Sequence, residues 1–251
     1  MNADFVEFRR GAIAPMECIK EAWALIKDQY WLFFGITIVG LLIGSAFAIV
    51  LMGPMMVGIF LCLLQRQRNE PVEFPTLFKG FDLFVEGLVV TVLKMIPMII
   101  LMVPYYIFVF GTVIATMPHG GRGVRPEDSP AFAFSFVGVE LLFFTALMIV
   151  SFIVEIFFML AYPLVADRRM SGLEAVKLSI RAARANLGGI VGLLLLNGVF
   201  GFLGLLCCIV GIYFYLPVAY AAHVVAYRRI FPDLGSPSTF PSPPPPPGNW
   251  T

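Results

Sequence analysis

Four long apolar stretches constrain the fold of this chain more than any other feature of its sequence. They cover residues 31–64, 88–117, 131–166 and 187–227, and they contain only three charged side chains between them. A helix that spans a bilayer needs about 20 apolar residues to cross about 30 Å of hydrocarbon. The first and last stretches are long enough for two such helices each, and the middle two suit one each. The sequence therefore predicts an all-α membrane protein with six transmembrane helices.

The composition of the chain excludes several other classes of protein. Hydrophobic residues make up 59% of the 251 residues and charged residues 13%, whereas about 25% of the residues in a soluble domain are charged. A soluble domain of this length could not bury so much apolar surface. A cytosolic enzyme, a secreted disulfide scaffold and a nucleic-acid-binding protein are therefore not expected. The four cysteines form no Cys-x-x-Cys pair, so neither a metal site nor a cofactor is predicted.

Turn and kink signals divide the apolar stretches into individual spans. We expect one turn between Gly44 and Pro54 and another between Gly201 and Cys208, while Pro97 and Pro104 should bend the third span. The predicted membrane domain is 15–231, after a cytoplasmic segment 1–14 and before a tail 232–251. Its predicted spans are 31–48, 50–66, 88–114, 131–165, 187–204 and 207–228.

Three short amphipathic segments precede the first, third and fifth spans. The apolar stripe of the first is Met16, Ile19, Trp23, Ile26 and Tyr30, and its spacing of 3, 4, 3 and 4 residues places it on one helix face. The same spacing recurs before the third and fifth spans. It predicts interfacial helices at about 15–29, 75–86 and 171–186, and an internal repeat of three units, each an interfacial helix followed by a hairpin. The alternative is that amphipathic helices commonly lead into membrane spans without common ancestry.

The basic residues are distributed unevenly between the two sides of the predicted membrane domain. With six spans, fourteen of the seventeen Lys and Arg residues lie on the side of the termini. The positive-inside rule then places both termini in the cytoplasm of a multi-pass protein of the cell (inner) membrane. The fourteen are Arg9, Arg10, Lys20, Lys27, Arg66, Arg68, Lys79, Arg168, Arg169, Lys177, Arg181, Arg184, Arg228 and Arg229.

Two short motifs carry a resemblance to a known group of proteins. Leu77-Phe78-Lys79-Gly80-Phe81 and Glu174-Ala175-Val176-Lys177-Leu178-Ser179 each lie just before a predicted span. They resemble signatures of a broad group of uncharacterised bacterial six-span membrane proteins. This group is similar to the membrane domain fused to some glycerophosphodiester phosphodiesterases. The resemblance covers about residues 12–230 and implies a fold and a location, but no catalytic residue.

Polar residues inside the spans are the main candidates for a functional site, because they are costly in the membrane. Lys94, Glu140 and Glu155 could form a proton or cation path. The favoured interpretation is a structural Lys94–Glu155 pair, since the depths of the two residues differ by about the length of a lysine side chain. Asn197 is expected to bond to a neighbouring helix rather than to a substrate.

Glycine and histidine give weaker signals. Gly40 with Gly44, and Gly188 with Gly192, have the G-x-x-x-G spacing that allows close helix packing, here favoured within the monomer rather than in a dimer. His223 is interpreted as a packing residue and not as a metal ligand.

The function predicted from these features is binding rather than catalysis. The chain has no H-E-x-x-H, G-x-S-x-G or P-loop motif, and its acidic residues are not clustered, so an enzyme is not expected. The predicted function is a binding or scaffold protein, or one that supports envelope homeostasis. The alternative is a small transporter or channel that uses Glu140, Glu155 and Lys94. The expected partner is the lipid bilayer, and binding to nucleic acid is not expected. The sequence does not indicate an oligomeric state. The proline-rich tail 232–251, with Trp250, is either a ligand for a protein partner or a solubilising segment.

Overall fold

The described part of the chain is helical and contains no strand. The computed structural model describes residues 8–46, 48–116, 130–206 and 210–232. Six of the helices, α2, α3, α4, α5, α8 and α9, lie in segments long and apolar enough to cross a membrane. The predicted all-α, six-span fold is therefore confirmed, and the chain is a multi-pass membrane protein. The helices are α1 (Pro15–Ile26), α2 (Tyr30–Ala46), α3 (Ala48–Gln67), α4 (Phe84–Thr116), α5 (Pro130–Phe158), α6 (Ala161–Arg168), α7 (Gly172–Ala185), α8 (Leu187–Leu206) and α9 (Val210–Ile230).

The spans divide into a central and a peripheral group. In their most apolar segments, α3 and α9 have 61% and 50% of their residues buried, whereas α4, α5 and α8 have 11–22%. Helix α3 packs on α2, α4 and α6, and α9 packs on α1 and α8. Exposed Ile, Leu, Val and Phe side chains cover much of α4, α5 and α8. These three helices therefore present their apolar surface to the lipid, while α3 and α9 form the core.

Each of the three hairpins is preceded by a short helix. Helix α1 precedes α2, a 3₁₀ helix (Phe74–Leu83) precedes α4, and α7 precedes α8. The middle one is 3₁₀ and not α-helical, and it contains Pro75 and Gly80, two residues that disfavour an α-helix. Helix α7 has an N-cap at its start, where the Ser171 hydroxyl accepts a hydrogen bond from the Glu174 backbone N–H at 3.4 Å.

The short helices bury about half of their apolar stripes against the spans. In α1, Ile19 and Ile26 are buried, while Met16 and Trp23 remain exposed. Helix α1 packs on α9, the 3₁₀ helix on α3, and α7 on α4, α5 and α6. Each short helix thus joins the bundle on one side and leaves an apolar edge uncovered, as expected for helices at a membrane interface.

The third apolar stretch, predicted as a single span over 131–165, forms one candidate membrane span, Phe136–Arg168, that a turn interrupts. Helix α5 ends at Phe158, a turn follows, and α6 begins at Ala161. The break has a local cause in Pro163, which has no N–H to donate to the carbonyl of Met159 and whose ring would clash with it. In contrast, α4 continues through Pro97 and Pro104 as one helix.

Candidate functional site

The centre of the candidate site is an ion pair between two spans. Lys94 on α4 and Glu155 on α5 have their Nζ and Oε2 atoms 2.7 Å apart. Their side chains are 30% and 36% exposed, so each keeps access to space outside the pair. The structure thus brings together the two residues that sequence reasoning matched by depth, and their opposite charges leave the site neutral overall.

Aromatic hydroxyl groups extend the pair into a larger polar cluster. The Thr91 hydroxyl donates to the Gly87 carbonyl at 3.0 Å, which leaves the Tyr162 hydroxyl as the donor in its 3.0 Å hydrogen bond to Thr91. The Lys94 ammonium lies 6.0 Å from the centre of the Tyr162 ring, within range of a cation–π interaction. One side of the cluster is therefore fixed by hydrogen bonds.

The ion pair faces a cleft of about 410 Å³ between α3, α4, α5, α6 and α9. Helix α5 packs on α4 and α7, and only slightly on α8, but it makes no extensive contact with α3 or α9. The unfilled space between these helices is the cleft. Besides the ion pair, its lining is made of thioether, hydroxyl, aromatic and aliphatic side chains. These belong to Met52, Met56, Thr91, Met95, Met98, Ser151, Val154, Tyr162 and Tyr220.

Glu140 lies outside this cleft and has its own partner. The Tyr105 hydroxyl lies 2.8 Å from both carboxylate oxygens of Glu140. The Tyr105 ring stacks on Phe143, with the ring centres 3.7 Å apart. About 22 Å of helix separates Glu140 from Glu155 along α5. The structure therefore does not join Glu140 to the Lys94–Glu155 pair. The proton or cation path considered from the sequence is not continuous between Glu140 and this pair.

Asn197 belongs to a third polar group, between α8 and α9. The Tyr215 hydroxyl donates to Asn197 Oδ1 at 2.6 Å, and Asn197 Nδ2 lies 3.4 Å from His223 Nε2. The expected hydrogen bond from Asn197 to a neighbouring helix is thus present. His223 is 8% exposed and sits in the core, as its interpretation as a packing residue required. Its ring is 6.3 Å from that of Tyr220, which lines the cleft.

The four predicted packing glycines have different surroundings. A Cβ atom on Gly40 or Gly44 would lie about 3.0 Å from side chains of α3, Ile59 and Met52 respectively. One on Gly192 would lie 2.9 Å from Pro15. All three contacts are within the monomer. At Gly188 no described atom lies within 4 Å of the Cβ position, so the packing prediction is wrong for this residue: the neighbouring Gly189, next to Ile13, makes the close contact instead.

The sequence analysis missed the tightest backbone contacts, which lie between α3 and the segment from Phe74 to α4. A Cβ atom on Gly80 would lie 2.1 Å from the Pro54 carbonyl oxygen. One on Gly53 would lie 2.4 Å from the backbone of Gly87. These pairs do not show the G-x-x-x-G spacing within one helix, which is why a search for that pattern passes over them. A signal was nevertheless present, because Gly80 belongs to the motif that carries the family resemblance.

The sequence analysis also missed Asp167. Its side chain is 5% exposed and accepts hydrogen bonds from Tyr227 at 2.6 Å, from Arg228 at 2.9 Å and from Arg68. These bonds tie together the ends of α3, α6 and α9. The signal was an acidic residue next to Arg168 at the end of an apolar stretch, but the charge count considered basic residues only.

Several predicted features lie outside the described residues. They are His119, Arg122 and Arg125 between the third and fourth predicted spans, Cys208 and its neighbour Cys207 at the second predicted turn, and the proline-rich tail from residue 233 onward. Among the residues that the structure does describe, no group of three or more His, Cys, Asp or Glu side chains could hold a metal ion.

Comparison with known proteins adds no assignment to this geometry. Family models, curated proteins and solved structures gave no match to the chain. The resemblance to bacterial six-span proteins stays a prediction, and the functional argument depends on the cleft alone.

Proposed function

We propose that this membrane protein acts by binding, without a catalytic step, and that the bound molecule occupies the cleft at the Lys94–Glu155 pair. The observation that carries the proposal is the cleft itself, which places a charged pair beside unfilled space. Its volume of about 410 Å³ falls within the range of about 300–1,000 Å³ for small-molecule sites. Its lining combines many apolar side chains with a few polar groups, which is the usual composition of such sites.

The energetics of the ion pair support this proposal. Two charges inside a membrane protein lose much of their hydration, and well-packed apolar residues of similar size are often as stable or more so. A pair that served stability alone would gain from being fully packed. Here both side chains stay about one-third exposed to the cleft. This arrangement suits groups that also contact a bound molecule.

Native mass spectrometry of the purified protein tests the proposal. Wild-type protein released from detergent should carry a non-covalent adduct of several hundred daltons. Replacing Met98, which lines the cleft, by Trp should fill the space and lower the adduct at least fivefold. The matched control is Ile107→Trp, which adds the same side chain to α4 at a position that is 68% exposed. The proposal is contradicted if both variants keep the adduct, or if the wild-type protein carries none.

Transport is the second candidate function. The observation in its favour is the mid-span position of Lys94 and Glu155 beside an open cleft. It ranks lower because Glu140 lies apart, with the apolar contact of Tyr105 and Phe143 next to it. If transport does occur, Glu155→Gln should reduce flux in proteoliposomes at least tenfold, while Glu140→Gln should leave flux unchanged. Flux that is insensitive to Glu155→Gln removes this candidate.

A further inference from the structure

We propose that the ligand of the cleft is a zwitterionic amphiphile: a compact head with one cationic and one anionic group, attached to an apolar chain. This inference rests on the proposed function, because it names the class of molecule that the cleft would bind. It follows from three properties of the site, namely its charge, its lining and its surroundings.

The charges at the site favour a ligand that carries both signs. Lys94 and Glu155 neutralise each other at 2.7 Å. A ligand with a single charge would draw one of them away and leave the other without a partner, which is costly in a site with little water. A zwitterion can place its anionic group on the Lys94 ammonium and its cationic group on the Glu155 carboxylate. All four charges then keep an opposite neighbour.

The aromatic residues of the cleft favour a cationic group in the ligand head. Tyr162 and Tyr220 both line the cleft. The Tyr162 ring already has the Lys94 ammonium at 6.0 Å from its centre, a distance at which a ring attracts a cation. Tyrosine faces accept primary and quaternary ammonium groups alike. Because Lys94 and Phe60 already contact the Tyr162 ring, the ring of Tyr220 is the one that offers a second contact to the ammonium of a zwitterionic head, in addition to Glu155.

The methionines of the cleft favour an apolar chain. Met52 and Met56 lie one turn apart on α3, and Met95 and Met98 lie one turn apart on α4. Methionine is unbranched and polarizable, and it adapts its shape to apolar groups of variable form. Four such side chains line the same cleft as the ion pair, so the cleft offers a charged contact together with flexible apolar surface. A head group with the first part of a chain matches this combination.

The surroundings of the cleft indicate that the ligand enters from the hydrocarbon of the bilayer. Apart from Ser151, the exposed side chains of α4 and α5 near the ion pair are apolar: Ile96, Ile99, Met148 and Ile153 are between 43% and 73% exposed. Lipid chains cover such surfaces in a membrane. A membrane lipid reaches the cleft along this surface, whereas a water-soluble zwitterion would have to cross apolar surface to do so.

Lipid competition on delipidated protein tests the inference. The protein is equilibrated in a non-ionic detergent with equal amounts of phosphatidylethanolamine, which is zwitterionic, and phosphatidylglycerol, which is anionic, both with the same chains. Native mass spectrometry then counts the bound molecules of each. We expect at least a tenfold preference for phosphatidylethanolamine. Equal binding of the two lipids, or a preference for phosphatidylglycerol, overturns the inference but leaves binding in the cleft intact.

Two variants connect the preference to the ion pair. In Lys94→Gln/Glu155→Gln both charges are removed together, so no unpaired charge remains, and the preference should fall below twofold. Glu140→Gln removes a carboxylate outside the cleft and should keep the wild-type preference. A double variant that folds, as judged by its melting curve, and retains the tenfold preference contradicts the inference. If the double variant does not fold, the wild-type preference alone decides.

A chainless head group distinguishes a lipid ligand from a soluble one. Glycerophosphoethanolamine carries the same two charges as the lipid head, one on a phosphodiester and one on an ammonium, but has no acyl chain. We expect it to displace the bound lipid only at a concentration at least 100-fold higher than that of phosphatidylethanolamine. Displacement at a similar concentration overturns the lipid source and identifies a soluble zwitterion as the ligand.

Discussion

At the scale of single residues, the charged groups of this protein fall into two kinds. Lys94 and Glu155 are partly exposed to a cleft, whereas Asp167 is enclosed by its partners. Sequence reasoning found the first pair because charges inside apolar stretches are rare. It could not find Tyr105, Tyr162 or the Asp167 contacts, because tyrosine is common in membrane helices and a single aspartate does not indicate its partners.

A single and a double variant of the ion pair separate its effect on stability from its effect on binding. Glu155→Leu leaves the Lys94 ammonium without its partner, and it should lower the free energy of unfolding by about 1–3 kcal/mol. This is less than for a fully buried pair, because the two side chains stay 30% and 36% exposed. Lys94→Met/Glu155→Leu should return to within about 1 kcal/mol of wild type while losing the bound adduct. Thermal unfolding in detergent measures the first effect. A double variant as unstable as the single one would show that the pair is structural only.

Asp167→Asn should destabilise the protein more than the loss of an exposed carboxylate. The Asp167 side chain is 5% exposed and Arg228 is 10% exposed, so the variant takes the Asp167 carboxylate away from a largely buried guanidinium. We expect a loss of about 3 kcal/mol and no change in the lipid preference of the cleft. Asp82→Asn, on an exposed residue of the 3₁₀ helix, is the control and should change stability by less than about 0.5 kcal/mol. Equal melting temperatures for the two variants would be evidence against the Asp167 network.

At the scale of helices, local rules explain most of the element boundaries. The Ser171 N-cap starts α7, and a turn before Pro163 interrupts the fourth span. The number of spans followed from apolar length alone. The contacts between helices did not, because Gly80, Gly53 and Gly87 are brought together by tertiary packing and not by spacing within one helix. Gly188 shows the reverse case, a motif position with open space around it.

Gly80→Ala tests the contact between α3 and the 3₁₀ helix. A Cβ atom at Gly80 meets the Pro54 carbonyl oxygen at 2.1 Å, so the 3₁₀ helix must move away from α3. We expect a loss of about 2 kcal/mol or more, typical of overpacking. Gly138→Ala, on α5 with no described atom within 4 Å of its Cβ, should be neutral or slightly stabilising. Melting curves of the two variants in detergent provide the comparison, and equal curves would contradict the close contact.

At the scale of the whole molecule, the short helices follow one packing rule. The 3₁₀ helix packs on α3, α7 packs on α5 and α6, and α1 packs on α9. Each short helix therefore contacts the second span of the preceding unit. For the first unit, this preceding unit is the third, so the contacts form a closed cycle. Helix α7 also packs on α4, the first span of its preceding unit, and the internal repeat stays a prediction. The sequence could indicate the units but not the cycle, because contacts between units have no signature in spacing.

The orientation of the molecule is tested by reporter fusions at two positions. The Asp167 contacts gather Arg68 and Arg228 at one end of the bundle, and fourteen of the seventeen basic residues belong to that side in the six-span model. The positive-inside rule predicts that a reporter at Gly121 reads outside and one at Gly235 reads inside. Both reporters on the same side would break the six-span model, and a full reversal would break the charge argument.

An experimental structure in a lipid nanodisc shows directly whether a bound molecule occupies the cleft at Lys94 and Glu155. Electron cryomicroscopy of the protein, enlarged by a rigid antibody fragment, should show non-protein density between α3, α4 and α5. This density should lie within hydrogen-bond distance of both Lys94 Nζ and the Glu155 carboxylate. A cleft filled by the protein's own side chains, with no density beside the ion pair, would contradict ligand binding at this site.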